Sequence, residues 1–135
     1  MNAWRLLGFS VDYPLGNGSL VNGIGAWIKA RRPGVRVVAV AAAGAPAMER
    51  SWRAGRVIVT PDVATIADGV AVRVPVPEAL AVMRATVDEV RLVDEAGIIA
   101  AMRLAFGRLG LVVAPAVREE FRGREVATVL CGAIS

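Results

Sequence analysis

The sequence predicts an α/β fold of three layers, with a mainly parallel sheet of about five strands and helices on both faces. Short apolar segments rich in β-branched residues alternate with segments whose apolar residues recur at helical spacing, which is typical of βαβ units. Of the 135 residues, 56% are hydrophobic, as expected for strands that are buried on both faces of a parallel sheet. No internal repeat or linker composition divides the chain. We therefore expect one domain over residues 1–135.

The first predicted unit is a βαβ crossover. A strand is expected at Val11–Leu15, followed by a glycine-rich turn and a helix at Ser19–Ala30 with its apolar residues on one face. Pro33 and Gly34 end this helix, and the β-branched segment Val35–Val40 is the next strand. Because parallel crossovers are right-handed in nearly all proteins, this helix is expected on one face of the sheet.

The middle of the chain is predicted to be helical at both ends and irregular between them. A helix is expected from Ala45 to Arg53, with Pro46 near its first turn and Gly55 after it. The segment Val57–Pro77 holds three prolines and is predicted to be an irregular excursion with short strands. A further helix is expected at Pro77–Thr86.

The last third is predicted to contribute a helix and three strands. Residues alternate in polarity over Glu89–Val93, which indicates a strand in an exposed or edge position. A helix beginning at Asp94 or Glu95 and ending at Leu109 has acids in its first turn, as the helix dipole favours. Residues 117–125 are a short connection for a parallel crossover, so a stub helix or altered pairing is expected there. The final strands are expected at Leu111–Ala114 and Val126–Cys131.

A glycine-rich loop between the first strand and the first helix is the main candidate binding site. It reads Gly16-Asn17-Gly18-Ser19-Leu20 and is followed by Asn22-Gly23. Glycines let backbone N–H groups converge on one point, and the helix adds the positive end of its dipole, so a phosphate could be held without side-chain charge. Such turns also serve close packing of helix on sheet, and a short glycine motif alone leaves both interpretations open.

Composition disfavours several partners. The net charge is +4, but acids are interspersed with the arginines, and the basic run at residues 29–32 has no aromatic residues for base stacking, so no nucleic-acid interface is expected. Charged residues interrupt every apolar segment before the ~18 residues of a membrane span. With one cysteine and no apolar leader, a cytoplasmic location is expected. The apolar excess favours a homo-oligomer, which we expect to be a dimer.

The chain has few catalytic side chains. It contains no histidine, one cysteine at Cys131 and one lysine at Lys29. Without a histidine to activate it, Cys131 is expected to be a buried thiol, and Lys29, beside two arginines, a solvated ammonium. Asp68 is expected to cap a turn before Gly69. No catalytic residue and no metal site are predicted.

Four segments, in chain order, carry a family resemblance. They are the glycine loop at residues 16–20, the strand at 37–40 with the following G-A-P-A-M at 44–48, the T-I-A-D-G at 65–69, and the C-G-A-I-S at 131–135. They resemble the C-terminal half of the catalytic domain in fold-type II pyridoxal-phosphate enzymes, which include threonine dehydratase, serine racemase and threonine synthase in the tryptophan-synthase β-like family. In that family the loop binds the cofactor phosphate, and the first residue of the last motif approaches the pyridine nitrogen.

The resemblance implies pyridoxal phosphate as the ancestral cofactor, but without its covalent lysine. In the family that lysine lies in an N-terminal segment of the S-x-K-x-R type, which these residues do not include, and Lys29 lies at a position that the family does not use. We expect a catalytically inactive relative that binds a phosphate-bearing ligand. The alternatives are half of a two-chain lyase or racemase acting on threonine or serine, and a ligand-free oligomeric interaction module. The implied cofactor-binding residues are Gly16, Asn17, Gly18, Ser19, Leu20 and Cys131.

Overall fold

The structure, a computed structural model, describes residues 10–109 and 126–128, which form four strands and four helices. None of the described helices is long and apolar enough to cross a membrane. In chain order the elements are β1 (Ser10–Pro14), α1 (Ser19–Arg31), β2 (Arg36–Ala42), α2 (Ala47–Ala54), a 3₁₀ turn (Asp68–Val70), α3 (Pro77–Thr86), β3 (Glu89–Val93), α4 (Glu95–Leu109) and β4 (Val126–Thr128).

The described strands form one parallel sheet in the order β3-β2-β1-β4. Val11 of β1 lies opposite Val37 of β2, and Ala39 of β2 lies opposite Val90 of β3. The predicted parallel α/β class is confirmed, and β3 is at an edge of this described sheet, as expected. The predicted strand at Leu111–Ala114, the connection at residues 117–125 and the end of the last predicted strand lie outside the described residues.

Helices cover both faces of the sheet, because alternate strand residues enter two different cores. On one face, residues such as Val37 and Val90 pack against α1, α2 and α3. On the other, Ala42 and Val93 pack against Ile98 of α4. The predicted three layers are therefore present. The apolar side chains from the three helices on the first face are Val21, Ile28, Met48, Leu80 and Met83.

The segment between α2 and α3 contains no strand, so the prediction of short strands there is wrong. Its residues make only isolated backbone contacts, such as the bond from the Thr60 N–H to the Arg73 carbonyl over 3.1 Å. Pro61 and Pro75 each remove an N–H donor on which a continuing ladder would depend. The segment instead runs along the carboxyl end of the sheet, where its 3₁₀ turn meets the glycine loop.

Candidate functional site

Residues 16–18 of the glycine loop join the carboxyl end of β1 to the first turn of α1, to which Ser19 and Leu20 belong. Gly18 is the N-cap residue, with φ +90° and ψ −6°, a left-handed conformation that favours glycine over any residue with a Cβ. The first helical hydrogen bond runs from the Asn22 N–H to the Gly18 carbonyl over 2.9 Å. The N–H groups of residues 19–21 therefore have no acceptor within the helix.

The N-terminus of α1 is electrostatically open to an anion. Its first turn holds no acidic residue, and no described side chain caps its N–H groups. Ser19 and Leu20 are exposed, so a ligand can approach from solvent. The dipole of this 13-residue helix places about half a positive charge there. Backbone donors and dipole together fit a phosphate group.

The T-I-A-D-G segment lies directly against this loop. A Cβ placed on Gly16 would lie 3.4 Å from both the Gly69 carbonyl oxygen and the Val70 Cα, which is ordinary van der Waals contact. Asp68 Oδ1 accepts from the Gly69 N–H over 2.8 Å, which confirms Asp68 as a turn cap. Glu95 Oε2 accepts from the Ile66 N–H over 2.9 Å, so α4 also holds this segment.

Two asparagines tie the glycine loop to the start of α3. Asn17 Oδ1 accepts from the Val76 N–H over 2.9 Å, and Asn22 Nδ2 donates to the Ala79 carbonyl over 2.8 Å. Sequence reasoning placed Asn17 in the loop but missed the role of Asn22. A polar residue on the buried face of an otherwise apolar helix was the available signal.

A second close backbone approach follows β2. A Cβ on Gly44 would lie 1.8 Å from the Ala64 carbonyl oxygen, so only glycine fits. The Ala64 N–H also donates to the Gly44 carbonyl over 2.9 Å. The ends of β1 and β2 are thus both packed against the same crossing segment, which fixes the floor of the site.

A cluster of charged side chains lies on the α4 face of the sheet. Glu89 accepts hydrogen bonds from Arg36 and Arg91. Asp12 of β1 lies opposite Val38 of β2, and Val38 lies opposite Glu89 of β3. Asp12 is therefore two strands from Glu89 at the same level of the sheet, and it is 4% exposed. Burial raises the pKa of Asp12; Arg91 opposes this most strongly, while Glu89 adds to it. The polarity alternation that predicted an exposed or edge strand at residues 89–93 thus also places charged side chains in a partly buried cluster.

Lys29 lies at the far end of α1 from the glycine loop. Its Nζ is 2.6 Å from Asp88 Oδ2 and donates to the Val35 carbonyl over 3.0 Å. Asp88 Oδ2 also accepts from the Val37 N–H over 2.7 Å. The expectation of an ordinary solvated ammonium is wrong, because the side chain is ion-paired and only 23% exposed. The chain's one lysine is fixed at the amino-terminal edge of the sheet.

The loop residues 16–20 are brought together, whereas Cys131 lies outside the described residues. In the part of the chain that the structure describes, no three histidine, cysteine, aspartate or glutamate residues are grouped so as to hold a metal ion. The site therefore consists of backbone N–H groups, one exposed hydroxyl and the helix dipole. Donors of this kind are suited to an anion.

Comparison with known protein families agrees with this geometry. The family model described as "Pyridoxal-phosphate dependent enzyme" matches residues 2–132. The chain is 37% identical over 100 residues to L-threonine ammonia-lyase of Geobacter sulfurreducens, covering 74% of this chain and 25% of that protein. It is 32% identical over 106 residues to serine racemase of Oryza sativa subsp. indica, covering 78% and 31% of the two chains.

Solved structures show the same fold in related enzymes. A threonine deaminase from T.th. superposes with a TM-score of 0.84 at 30% identity, over 92% of this chain and 49% of that one. Maize serine racemase gives a TM-score of 0.84 at 26% identity, over 97% and 44%. The chain thus spans less than half the length of these relatives. The resemblance drawn from the sequence is confirmed, and pyridoxal phosphate is the cofactor that gives the family its name. The chain belongs to the family of pyridoxal-phosphate dependent enzymes.

Proposed function

We propose that this chain binds the phosphate of pyridoxal phosphate, or of a similar ligand, at the glycine loop, and that these 135 residues alone do not catalyse a reaction. The observation that carries the proposal is the N-terminus of α1, where Gly18 is left-handed and no acid is present in the first turn. Residues that would hold the phosphate are Gly16, Asn17, Gly18, Ser19 and Leu20. We propose Cys131 as a contact to the pyridine ring, as the family resemblance implies.

The backbone supplies most of the binding in this proposal. N–H groups of residues 19–21 donate to the phosphate oxygens, and the exposed Ser19 hydroxyl offers a further donor. The dipole of α1 offsets the negative charge without a bound counterion. Such a site is expected to hold phosphate with a dissociation constant in roughly the millimolar range, because the proposed contacts come from backbone N–H groups, one hydroxyl and a helix dipole.

The lack of catalysis follows from Lys29. When bound, pyridoxal phosphate supplies an electron sink for negative charge that develops on a substrate carbon. Enzymes that use it need a lysine amine at the cofactor. Lys29 is ion-paired with Asp88 at the opposite edge of the sheet, so this side chain does not reach the loop.

A charge placed at the loop tests the proposal. Ser19→Asp puts a carboxylate beside the phosphate, and repulsion between the charges is expected to weaken phosphate binding roughly tenfold or more. The same carboxylate interacts favourably with the positive end of the α1 dipole, so the variant is expected to fold at least as stably as the parent. Ala26→Asp is the matched control, since Ala26 is exposed on the same helix two turns away.

Calorimetric titration with inorganic phosphate, pyridoxal phosphate and pyridoxal gives the readout. We expect phosphate and pyridoxal phosphate to bind the parent and Ala26→Asp alike, and pyridoxal to bind much more weakly. No heat at millimolar phosphate in the parent would refute the proposal and favour the ligand-free interaction module.

A second candidate is half of a two-chain enzyme, and the coverage of 49% of threonine deaminase favours it. In this case a second polypeptide with an S-x-K-x-R segment would supply the lysine. Co-expression is expected to give ammonia release from threonine or serine that depends on pyridoxal phosphate. A stable complex of the two chains without turnover would contradict this candidate.

We also propose that the chain forms a homodimer. Large apolar side chains are exposed on the outer helices, including Trp27 at 57% and Phe106 at 62%, and apolar surface of this kind favours association. Sedimentation velocity at micromolar concentration is expected to give twice the monomer mass. A single monomeric species across the concentration range would contradict the proposal.

A further inference from the structure

We propose that Asn22 is a positioning residue that holds the phosphate-binding N–H groups in place by tying the glycine loop to α3. This inference rests on the proposed phosphate site. Asn22 belongs to the second turn of α1 and does not present its side chain to solvent, being 8% exposed. Its role is therefore to act through its neighbours.

Asn22 is bonded to both of the backbone segments that it would hold together. Its N–H donates to the Gly18 carbonyl over 2.9 Å, and its Nδ2 donates to the Ala79 carbonyl over 2.8 Å. The same Nδ2 lies 3.2 Å from where a Cβ on Gly18 would be. The asparagine thus fixes the left-handed N-cap residue to the first turn of α3.

Asn17 makes the corresponding link on the other side of Gly18. Its Oδ1 accepts from the Val76 N–H over 2.9 Å, and Val76 is the N-cap residue of α3. One asparagine accepts from α3 and the other donates to it. Because Gly18 lies between two anchored residues, its carbonyl and the N–H of the next residue have fixed directions.

The buried Asn22 side chain carries a cost in fold stability that its positioning role would explain. Its Oδ1 is buried and has no hydrogen-bond partner among the described residues, and a buried polar atom of this kind destabilises a fold. The Ala79 carbonyl lies within α3, where helix geometry already gives it an N–H partner four residues on. An apolar side chain of similar shape would leave no unsatisfied group behind. Asn22 is therefore explained by positioning better than by stability.

Asn22→Leu separates these two roles, because leucine branches at the same atom but makes no hydrogen bond. We expect its Tm to lie within about 5 °C of the parent, since a bond and an unsatisfied oxygen are lost together. Phosphate affinity is expected to fall about fivefold, the equivalent of one hydrogen bond. Asn22→Ser, which is too short to reach Ala79, is expected to show the same loss of affinity.

Thr86→Val is the matched control, because it removes a hydrogen bond from the far end of the same helix pair. Thr86 Oγ1 donates to the Val82 carbonyl over 3.0 Å, and its side chain packs against Gly25 of α1. Because the Val82 carbonyl keeps its helical N–H partner, this variant is expected to change stability little and to bind inorganic phosphate as the parent does.

All variants are titrated with inorganic phosphate as full chains, at a temperature well below the lowest Tm. If Asn22→Leu and Asn22→Ser bind phosphate as tightly as the parent, the inference is wrong while the phosphate site stands. If Thr86→Val loses as much affinity as Asn22→Leu, the effect is a general loosening and the inference is also wrong. If the parent itself binds no phosphate, the proposed function is wrong, and so is this inference, which rests on it.

Discussion

Replacing Gly18 by alanine tests the backbone geometry of the loop directly. At φ +90°, a Cβ clashes with the neighbouring carbonyl, which costs about 1–2 kcal/mol. The new Cβ would also lie 3.2 Å from Asn22 Nδ2 and 3.6 Å from the Ala79 Cβ, so the asparagine has to shift by a few tenths of an ångström. We expect Gly18→Ala to lower the free energy of unfolding by about 2 kcal/mol.

Gly23→Ala provides the comparison, because it is the same chemical change in the same helix. Gly23 has no atom within 4 Å of its added Cβ and lies within α1, where alanine is favoured over glycine by about 1 kcal/mol. The two variants are therefore expected to change stability in opposite directions. Urea unfolding followed by circular dichroism gives both values. Equal stability of Gly18→Ala and the parent would refute the left-handed N-cap, and a loss in Gly23→Ala would contradict the open space at Gly23.

Two further predictions concern the packing behind the site. Gly44→Ala places a Cβ 1.8 Å from the Ala64 carbonyl oxygen and is expected to lower the free energy of unfolding by about 3 kcal/mol or to prevent folding; a Tm equal to that of the parent would contradict the close approach. Burial raises the pKa of Asp12, so the folded state binds this proton more tightly than the unfolded chain does. The stability contributed by the protonated Asp12 is fully present below the pKa that Asp12 has in the unfolded chain. It is lost as pH rises through the pKa that Asp12 has in the folded state. Urea unfolding from about pH 4 to about pH 7 gives the free energy of unfolding of the parent and of Asp12→Asn. We expect the value for Asp12→Asn to rise relative to that of the parent as pH rises, and a constant difference would contradict this.

Local sequence signals predicted several elements with the correct bounds. α3 begins at Pro77, where a missing N–H is tolerated, and β3 runs from Glu89 to Val93 as expected. The predicted end of β2 at Val40 is two residues short of the observed end at Ala42. Alanine has low strand propensity, but pairing of Ala41 and Ala42 with β3 extends the strand. Tertiary pairing here overrides local preference.

Contacts between distant segments could not be predicted from local patterns. The bonds from Asn22 to Ala79 and from Lys29 to Asp88 join residues 57 and 59 positions apart. Neither pair has a sequence spacing that indicates contact, because each depends on how α1 packs beside α3 and β3. Local patterns therefore identified the loop but not what holds it.

The most direct test of the phosphate site is a titration of inorganic phosphate into isotope-labelled protein, followed through the backbone amide resonances. We expect saturable shifts concentrated at Ser19, Leu20 and Val21, whose N–H groups have no acceptor within the helix. Shifts of the same size in Ser19→Asp, or shifts confined to the basic end of α1 at residues 29–32, would contradict a phosphate site at the glycine loop.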